Sequence, residues 1–230
     1  MAEHTIKAFD QEIDQLRGLI AEMGGRAEAA LESAMLALQR QDLTLAAQVI
    51  ADDKRIDAIE ADVEKLAVQI IALRAPMAND LRDVIAALKI VGVLERIGDY
   101  SKNIAKRVSL VTPKDRRLEP VSLLQSMGQV AGEMVNKALD AFAKRDSALA
   151  LGVIEQDVTL DDLYDSVFRT LVTYMVENPK TISECAHLLF IAKNIERIGD
   201  HATNVAEMVY FAATGSSPPD RERGGAQAEI

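Results

Sequence analysis

The sequence has a single cysteine, no tryptophan and few aromatic residues, which make up 4% of its 230 residues. A lone cysteine, Cys185, cannot form an intrachain disulfide, which is typical of a protein from a reducing compartment. The amino-terminal residues lack the basic start and apolar centre of a secretory signal, and no apolar run approaches the length that spans a bilayer. We therefore expect a cytoplasmic protein without direct insertion into the membrane.

Basic residues are also fewer than acidic residues. The chain carries 26 Lys and Arg against 36 Asp and Glu, a formal net charge of -10. Proteins that bind nucleic acid neutralise its phosphates with clustered Lys and Arg, so this composition argues against a nucleic-acid partner. Abundant Ala, Leu, Glu and Asp with so few aromatic residues is typical of an all-α protein.

One phrase occurs twice along the chain. The segment "ERIGDYSKNIA" from Glu95 is repeated, 101 residues later, as "ERIGDHATNVA" from Glu196. The similarity extends upstream, where the 24 residues from Ala34 match those from Ala138 at a shift of 104. The two halves of the chain are therefore expected to be structural duplicates.

Each half is divided at the same places. Asp42 and Asp146 precede apolar periodic runs, as helix N-caps do, and Pro76 and Pro179 are placed to end the second helix of each half. Short connections between long helices favour antiparallel packing. The sequence predicts an all-α fold of two tandem antiparallel three-helix bundles: residues 1–110, a linker at 111–120, residues 121–214, and a disordered tail at 215–230.

The repeated phrase places carboxylates on the buried side of a helix. Glu95, Asp99 and Asn103 are four residues apart, so they share one helical face. On a helical wheel this face continues the apolar seam of residues 81–91. Gly98 lies mid-helix, where glycine weakens a helix, which indicates a close contact with another helix. The second copy repeats the pattern with Glu196, Asp200, Asn204 and Gly199.

The second helix of each half carries a further acidic pair. Asp53 and Asp57 are mirrored by Asp157 and Asp161, again four residues apart and in line with apolar positions. If the second and third helices pack side by side, each bundle brings these carboxylates into one zone. Crowded carboxylates removed from water repel one another unless a cation compensates.

We expect a metal ion to be that cation, because no comparable group of Lys or Arg lies on these stripes. Oxygen ligands suit hard ions such as Mg²⁺, Mn²⁺ or Ca²⁺, tolerate iron, and match Zn²⁺ less well. Two alternatives remain open: the acids are solvated surface residues, or the protein is a metal-free helical adaptor or dimerisation protein. The candidate metal ligands are Asp53, Asp57, Glu95, Asp99, Asp157, Asp161, Glu196 and Asp200, with Asn103 and Asn204 as helpers.

The chain resembles the PhoU family, the cytoplasmic regulators of bacterial phosphate uptake. The resemblance covers about residues 5–214 and rests on both "ERIGD" phrases with their trailing Asn, the paired Asp residues and "LRAPMANDLR" from Leu73. The stretch "ERIGDHATN" from Glu196 is the most specific. In the first copy Tyr100 stands where the second has His201.

The resemblance implies a fold of two three-helix bundles, a homodimer, and metal clusters, of iron, Mg, Mn or Zn, on the repeated acidic motifs. It also implies a function without catalysis. Members act as negative regulators of the phosphate-starvation response, and they link a phosphate ABC transporter to a sensor histidine kinase.

Enzymatic alternatives find less support in the residues. A ferritin-like oxidase requires Glu-x-x-His on two helices, and the chain offers only Glu184 with His187, which point away from the acidic seam. Cys185 has no matching His and is expected to be an inert buried thiol. A glycine-rich phosphate-binding loop is missing from the sequence.

Overall fold

The computed structural model describes residues 2–111 and 120–219, and over these ranges the chain is built from helices. Within the described ranges no helix is both long and apolar enough to cross a membrane. The predicted linker lies mostly outside the described residues, as does the predicted disordered tail beyond residue 219. The helices are α1 (Ala2–Arg40), α2 (Leu43–Arg74), α3 (Asn79–Arg107), α4 (Pro120–Lys144), α5 (Ser147–Glu177) and α6 (Ile182–Thr214), with 3-10 turns at Val108–Leu110 and Pro179–Thr181.

The second helix of each half begins at the predicted cap. The Asp42 side chain accepts hydrogen bonds from the backbone N–H groups of Thr44 and Leu45, at 2.9 and 3.0 Å. Asp146 does the same at the start of α5. These bonds satisfy N–H groups that have no partner inside a helix. The proline positions are confirmed as well, because α2 ends two residues before Pro76 and α5 ends two residues before Pro179.

The two three-helix bundles are α1–α3 and α4–α6, and the all-α fold is confirmed. They pack against each other, α1 against α4 and α3 against α6. Tyr100 and His201, the same position of the two copies, meet edge to face with ring centroids 5.1 Å apart. A pseudo-twofold axis therefore passes between these two rings, and one hydrophobic core runs through both bundles.

Glycines allow the close approach between bundles. A Cβ atom on Gly24 would overlap the side chain of Leu139, and a Cβ on Gly128 would lie 2.9 Å from Met35 Cγ. These two contacts are related by the repeat, since Gly128 and Leu139 follow Gly24 and Met35 by 104 residues. The α1–α4 interface therefore contains the same glycine contact twice, once from each copy of the repeat.

Glycines also bring together the helices of each bundle, as predicted. A Cβ on Gly98 of α3 would lie 2.8 Å from Ile56 Cδ1 of α2. A Cβ on Gly199 of α6 would overlap Leu160 of α5. The helices that carry the acidic residues are therefore in close contact beside those residues.

An ion-pair cluster joins the two bundles at one end. Asp83 on α3 accepts hydrogen bonds from Arg17 of α1 at 3.2 Å and from Arg145, in the turn between α4 and α5, at 2.8 Å. Its side chain is 16% exposed, against 43% and 44% for the two arginines. One carboxylate thus holds together three segments from both halves.

Candidate functional site

The acidic residues of the first bundle meet where α2 packs on α3. Asp53 is buried on α2, and Asp99 is half-buried on α3. The Nζ atom of Lys102 lies between them, 2.5 Å from Asp53 Oδ2 and 2.5 Å from Asp99 Oδ1. We call Asp53, Asp57, Glu95 and Asp99 the first acidic cluster.

Lys102 corrects one expectation from the sequence. The stripe does carry a basic residue, and its ammonium group joins two of the predicted metal ligands. Burial disfavours the charged form of Lys102, but the hydrogen bonds and charges of Asp53 and Asp99 outweigh burial and raise the lysine pKa above its usual value. Lys102 could have been identified from the sequence, because it follows Asp99 by three residues and therefore shares its helical face.

Glu95 shares a side-chain hydrogen bond with Asp99 and is also affected by the charge of Glu60. Its nearest basic group is Arg96, whose Nε is 3.6 Å from Glu95 Oε2. Desolvation, followed by the negative charges of Asp99 and Glu60, raises the pKa of Glu95 to about 7. At neutral pH Glu95 is therefore protonated in part of the molecules. This protonation reduces the negative charge of the first acidic cluster, which Lys102 compensates only in part.

The remaining candidates of the first bundle lie at the edge of this zone. Asp57 is exposed on α2, where it contributes, after desolvation and Glu64, to raising the pKa of Glu60. Asn103 is half-buried on α3, and its backbone carbonyl accepts a hydrogen bond from Arg107 at 3.4 Å. Glu60 was not among the predicted ligands because its counterpart in the second half is Tyr164.

The second acidic cluster consists of Asp157, Asp161, Glu196 and Asp200, where α5 packs on α6. Asp157 is buried and Asp161 is exposed, as are their counterparts in the first cluster. Partial desolvation and then the negative charge of Glu196 raise the pKa of Asp200 to about 6. Asp157 and Asp161 act in the same direction, so all four carboxylates share one electrostatic environment.

A lysine is also present in the second cluster, but at a different position. Lys193 Nζ lies 2.5 Å from Glu196 Oε1 and 5.2 Å from the ring centroid of Tyr164. The other carboxylate oxygen of Glu196, Oε2, is buried without a hydrogen-bond partner. Burying such an oxygen without a partner is costly. Lys193 precedes Glu196 by three residues, a spacing that identifies it from sequence.

Asn204 lies one turn beyond Asp200 on the same helix. With Asp200 and His201 it lines an open cleft of about 1000 Å³ between α3 and α6. Lys89 of α3 lines the opposite side. The helper residue of the second cluster is therefore reached from solvent through this cleft.

The clusters gather the predicted ligands without arranging them as a finished metal site. Among residues 2–111 and 120–219, no three side chains of His, Cys, Asp or Glu form a group that is positioned to hold a metal ion. The helices place the acids close enough to shift the pKa values of Glu95 and Asp200, but a cation would have to draw the oxygens closer. Metal binding at these residues therefore stays a prediction.

The other residues considered from sequence lie outside both clusters. Cys185 is buried, and desolvation raises the pKa of its thiol, which disfavours the nucleophilic thiolate. Glu184, whose pKa is raised by burial, lies close enough to raise the thiol pKa further. His187 is half-buried one turn further along α6, and its Nδ1 has no hydrogen-bond partner.

Comparison with known proteins adds to this geometry. The family model of the PhoU domain matches residues 20–108 and 124–209, one copy in each half. A Zymomonas mobilis protein named "phosphate-specific transport system accessory protein PhoU homolog" is 56% identical over 221 residues, which are 96% of this chain and 93% of that protein. A Caulobacter vibrioides protein of the same name is 44% identical over 94% of each chain. The crystal structure of PhoU from Pseudomonas aeruginosa matches with a TM-score of 0.87 and 38% identity, covering 90% of this chain and 100% of that one.

Proposed function

Because the chain belongs to the PhoU family, we propose that it is an accessory protein of a phosphate-specific transport system and regulates phosphate uptake. The observation that carries this proposal is the match with the Zymomonas mobilis accessory protein, 56% identical over 96% of this chain. The match extends over both repeats, and identity of this extent supports a shared function as well as a shared fold.

We further propose that the protein is a negative regulator that links a phosphate ABC transporter to a sensor histidine kinase and works in the cytoplasm. These partners come from the family resemblance. An exposed apolar stripe on α5 supports a function exerted by contact: Phe168, Val172 and Val176 are 45, 38 and 76% exposed. Exposed apolar patches of this kind are typical of protein interaction sites.

The same stripe supports a homodimer as well as a partner complex. The corresponding residues of α2 are Glu64, Val68 and Ala72, so the first bundle is less apolar at this place. Analytical ultracentrifugation of the wild type and of Phe168→Glu tests the dimer: we expect the wild type to sediment as a dimer and the variant as a monomer.

A function without catalysis agrees with the chemistry of the described residues. The thiol of Cys185 is buried with a raised pKa, and Glu184 and His187 lie apart from both acidic clusters. Nucleophilic catalysis requires an activated nucleophile beside a base. We propose that the protein acts through its contacts with partners.

We also propose that divalent metal ions bind the acidic motifs. The support is the buried, unpartnered Glu196 Oε2 and the raised pKa of Asp200, which a nearby cation would lower. An all-oxygen ligand set favours Mg²⁺, Mn²⁺ or iron over Zn²⁺. A bound ion would supply positive charge, and the carboxylates of Glu196 and Asp200 would be among the groups that hold it.

Deleting the gene in its host tests the regulatory proposal. In phosphate-rich medium we expect phosphate uptake and the expression of phosphate-starvation genes to stay high in the deletion strain, and the wild-type gene to restore repression. Normal repression in the deletion strain contradicts the proposal.

The metal proposal is tested separately with purified protein. Asp99→Ala combined with Asp200→Ala is expected to remove bound metal, measured by elemental analysis after purification without chelator, and to leave helicity by circular dichroism unchanged. The matched control is Asp10→Ala with Glu155→Ala, two exposed acids outside the clusters, which should keep the metal. Equal metal content in both double variants rejects the acidic motifs as metal sites.

A further inference from the structure

The seam between α3 and α6 carries basic residues, although the chain as a whole has 26 Lys and Arg against 36 Asp and Glu. Arg82, Lys89 and Arg96 follow one another at intervals of seven residues, so they form one row along α3. Arg197 of α6 belongs to the same surface, because its guanidinium carbon lies 5.8 Å from the centroid of the Tyr100 ring on α3. We call Arg82, Lys89, Arg96 and Arg197 the basic row.

The two central arginines come from the two copies of the repeat. Arg96 and Arg197 are the second residues of the two "ERIGD" phrases, and Tyr100 and His201 follow each of them by four residues. Desolvation lowers the pKa of His201, and the positive charges of Arg96 and Arg197 act in the same direction. Both arginines therefore lie near the pseudo-twofold axis, where two like charges repel each other unless an anion lies between them.

The basic row is only weakly compensated by the chain itself. Within the ranges that the structure describes, Lys89 and Arg197 form no ion pair with a carboxylate. Arg96 approaches Glu95, but the 3.6 Å from Nε to Oε2 exceeds a hydrogen-bond distance, and the arginine side chain is 61% exposed. Positive charge therefore remains available to a partner along the seam.

Exposed phenylalanines lie toward both ends of the seam. Phe190, Arg197, Asn204 and Phe211 are seven residues apart on α6 and form a second row facing the first. The two phenylalanines are 55 and 41% exposed. They are 21 residues apart in sequence, about 31 Å along the helix. Aromatic and arginine side chains are the residue types enriched in protein interfaces.

Each phenylalanine has a cation of α3 beside it. The guanidinium carbon of Arg107 lies 4.7 Å from the ring centroid of Phe190, and Arg107 Nε is buried without a hydrogen-bond partner. Toward the other end, Phe211 and Lys89 line the same open cleft of about 1000 Å³. Two acidic residues of α6 line this cleft as well, Asp200 and Glu207. The combination of a cation and an exposed ring thus occurs on both sides of the central arginines.

We propose that the basic row, together with Phe190 and Phe211, docks a protein partner that presents an acidic segment with apolar residues at both ends. This inference rests on the proposal that the protein acts through contacts with partners, and it names the surface responsible. A partner carboxylate between Arg96 and Arg197 accepts hydrogen bonds from both guanidinium groups and removes the repulsion between them. Apolar partner residues cover the two exposed rings.

The surface is separate from the exposed apolar stripe of α5 that we propose for the homodimer. Phe168, Val172 and Val176 belong to α5, whereas the basic row lies on α3 and α6. A dimer can therefore form while the seam stays open to another protein. Nucleic acid, the other common ligand of basic rows, has no apolar residues with which to cover Phe190 and Phe211.

Charge reversal on the seam tests the inference. Binding to the intact phosphate transporter and to the intact sensor kinase of the host, each in lipid nanodiscs, is measured by biolayer interferometry at about 50 and 300 mM salt. We expect the wild type to bind at least one of them, and more weakly at the higher salt concentration. Arg96→Glu with Arg197→Glu is expected to raise that Kd at least about tenfold.

The matched control is Arg55→Glu with Lys65→Glu, two exposed basic residues of α2 outside the seam. It changes the net charge by the same amount and is expected to leave the Kd within about twofold of the wild type. Circular dichroism accompanies each variant. Arg96→Gln with Arg197→Gln repeats the test without added acids, should the double charge reversal not fold.

Removing the rings examines the apolar part of the surface. Phe190→Ala with Phe211→Ala is expected to weaken binding about tenfold while the salt dependence stays that of the wild type, because no charge is lost. Leu43→Ala with Val158→Ala removes two exposed apolar side chains elsewhere and should bind as the wild type does.

The negative outcomes are distinguishable. A wild type that binds neither the transporter nor the kinase rejects the proposed function by contact, and this inference with it. A wild type that binds, with equal Kd values for the seam and α2 charge reversals, overturns the docking surface alone. Loss of the dimer in Arg96→Glu with Arg197→Glu, seen by analytical ultracentrifugation, assigns the seam to a second copy of this chain and also overturns the inference.

Discussion

At the scale of single residues, the acidic clusters show how a fold alters the chemistry of ordinary side chains. Asp53 and Asp99 are held by one lysine, whereas Glu95, only one turn from Asp99, faces other acids and has its pKa raised to about 7. The difference arises because the reach of Lys102 is limited to two of these carboxylates. Glu95 is therefore partly protonated at neutral pH.

Glu95 makes the stability of the metal-free protein depend on pH. Its pKa is about 7 in the folded protein against a usual value of 4.5. The folded state therefore binds the proton more tightly, and stability falls as pH rises from about 4.5 to above 7. In chelator, we expect Glu95→Gln to reduce this decline by about 1–2 kcal/mol, measured by urea unfolding at pH 5 and pH 8.

The exposed Asp62 on α2 provides the control for this experiment, since it lies on the solvent side of the helix. Asp62→Asn should leave the difference between pH 5 and pH 8 as it is in the wild type. An identical decline in the wild type and Glu95→Gln shows that Glu95 is not the titrating group.

At the scale of helices, glycine determines how closely the acid-bearing helices pack. Gly98 and Gly199 face Ile56 of α2 and Leu160 of α5, at equivalent places of the repeat. Helix propensity alone disfavours glycine in the middle of a helix. Here the missing side chain lets α2 approach α3 closely enough for Lys102 to reach Asp53.

Alanine at two glycine positions should therefore have opposite effects. Gly98→Ala places a Cβ 2.8 Å from Ile56 Cδ1, and we expect a loss of about 1–2 kcal/mol in the free energy of unfolding. Gly152→Ala, with open space around the added atom, should instead gain about 0.5–1 kcal/mol. Urea denaturation of both variants provides the comparison.

A second substitution tests whether the overlap between the new Cβ and Ile56 causes the loss of stability in Gly98→Ala. Ile56→Val removes the Cδ1 atom that the new methyl group would meet, so Gly98→Ala should cost less in the Ile56→Val background than in the wild type. If the two costs are equal, the overlap with Ile56 is not responsible for the loss.

At the scale of the whole molecule, the duplicated bundles share one core. Gly24 and Met35 of α1 contact Leu139 and Gly128 of α4, and α3 packs on α6 around Tyr100 and His201. The Asp83 cluster with Arg17 and Arg145 adds an ionic link between the halves. Each bundle thus completes its hydrophobic core against the other, which favours a single cooperative unit.

The halves should consequently remain together when the chain between them is cut. We expect a protein with a protease site inserted within residues 112–119 to elute after cleavage at the position of the intact protein and to unfold in one thermal transition. Asp83→Ala should lower the temperature of that transition, because two arginines lose their shared carboxylate. Separation into two folded fragments contradicts a shared core.

The sequence by itself was sufficient for the helices, the duplication and the identity of the acidic residues. These features depend on local rules: Asp42 and Asp146 cap helices through neighbouring N–H groups, and a spacing of four places Glu95 and Asp99 on one face. Local rules need no knowledge of which helix lies opposite. The stripes reach the seam between helices only in part, because Asp53 and Asp157 are buried whereas Asp57, Asp161 and Asp200 are exposed.

Only the tertiary structure decided which charges meet. Whether Lys102 extends to solvent or reaches Asp53 depends on the distance between α2 and α3, which Gly98 and Ile56 determine across 42 residues of sequence. The sequence analysis expected no group of Lys or Arg comparable to the acids, and for this reason it missed that a single lysine, Lys102, pairs with two of them. Electrostatic interactions depend on distance and burial in three dimensions, and neither is contained in the periodicity of one helix.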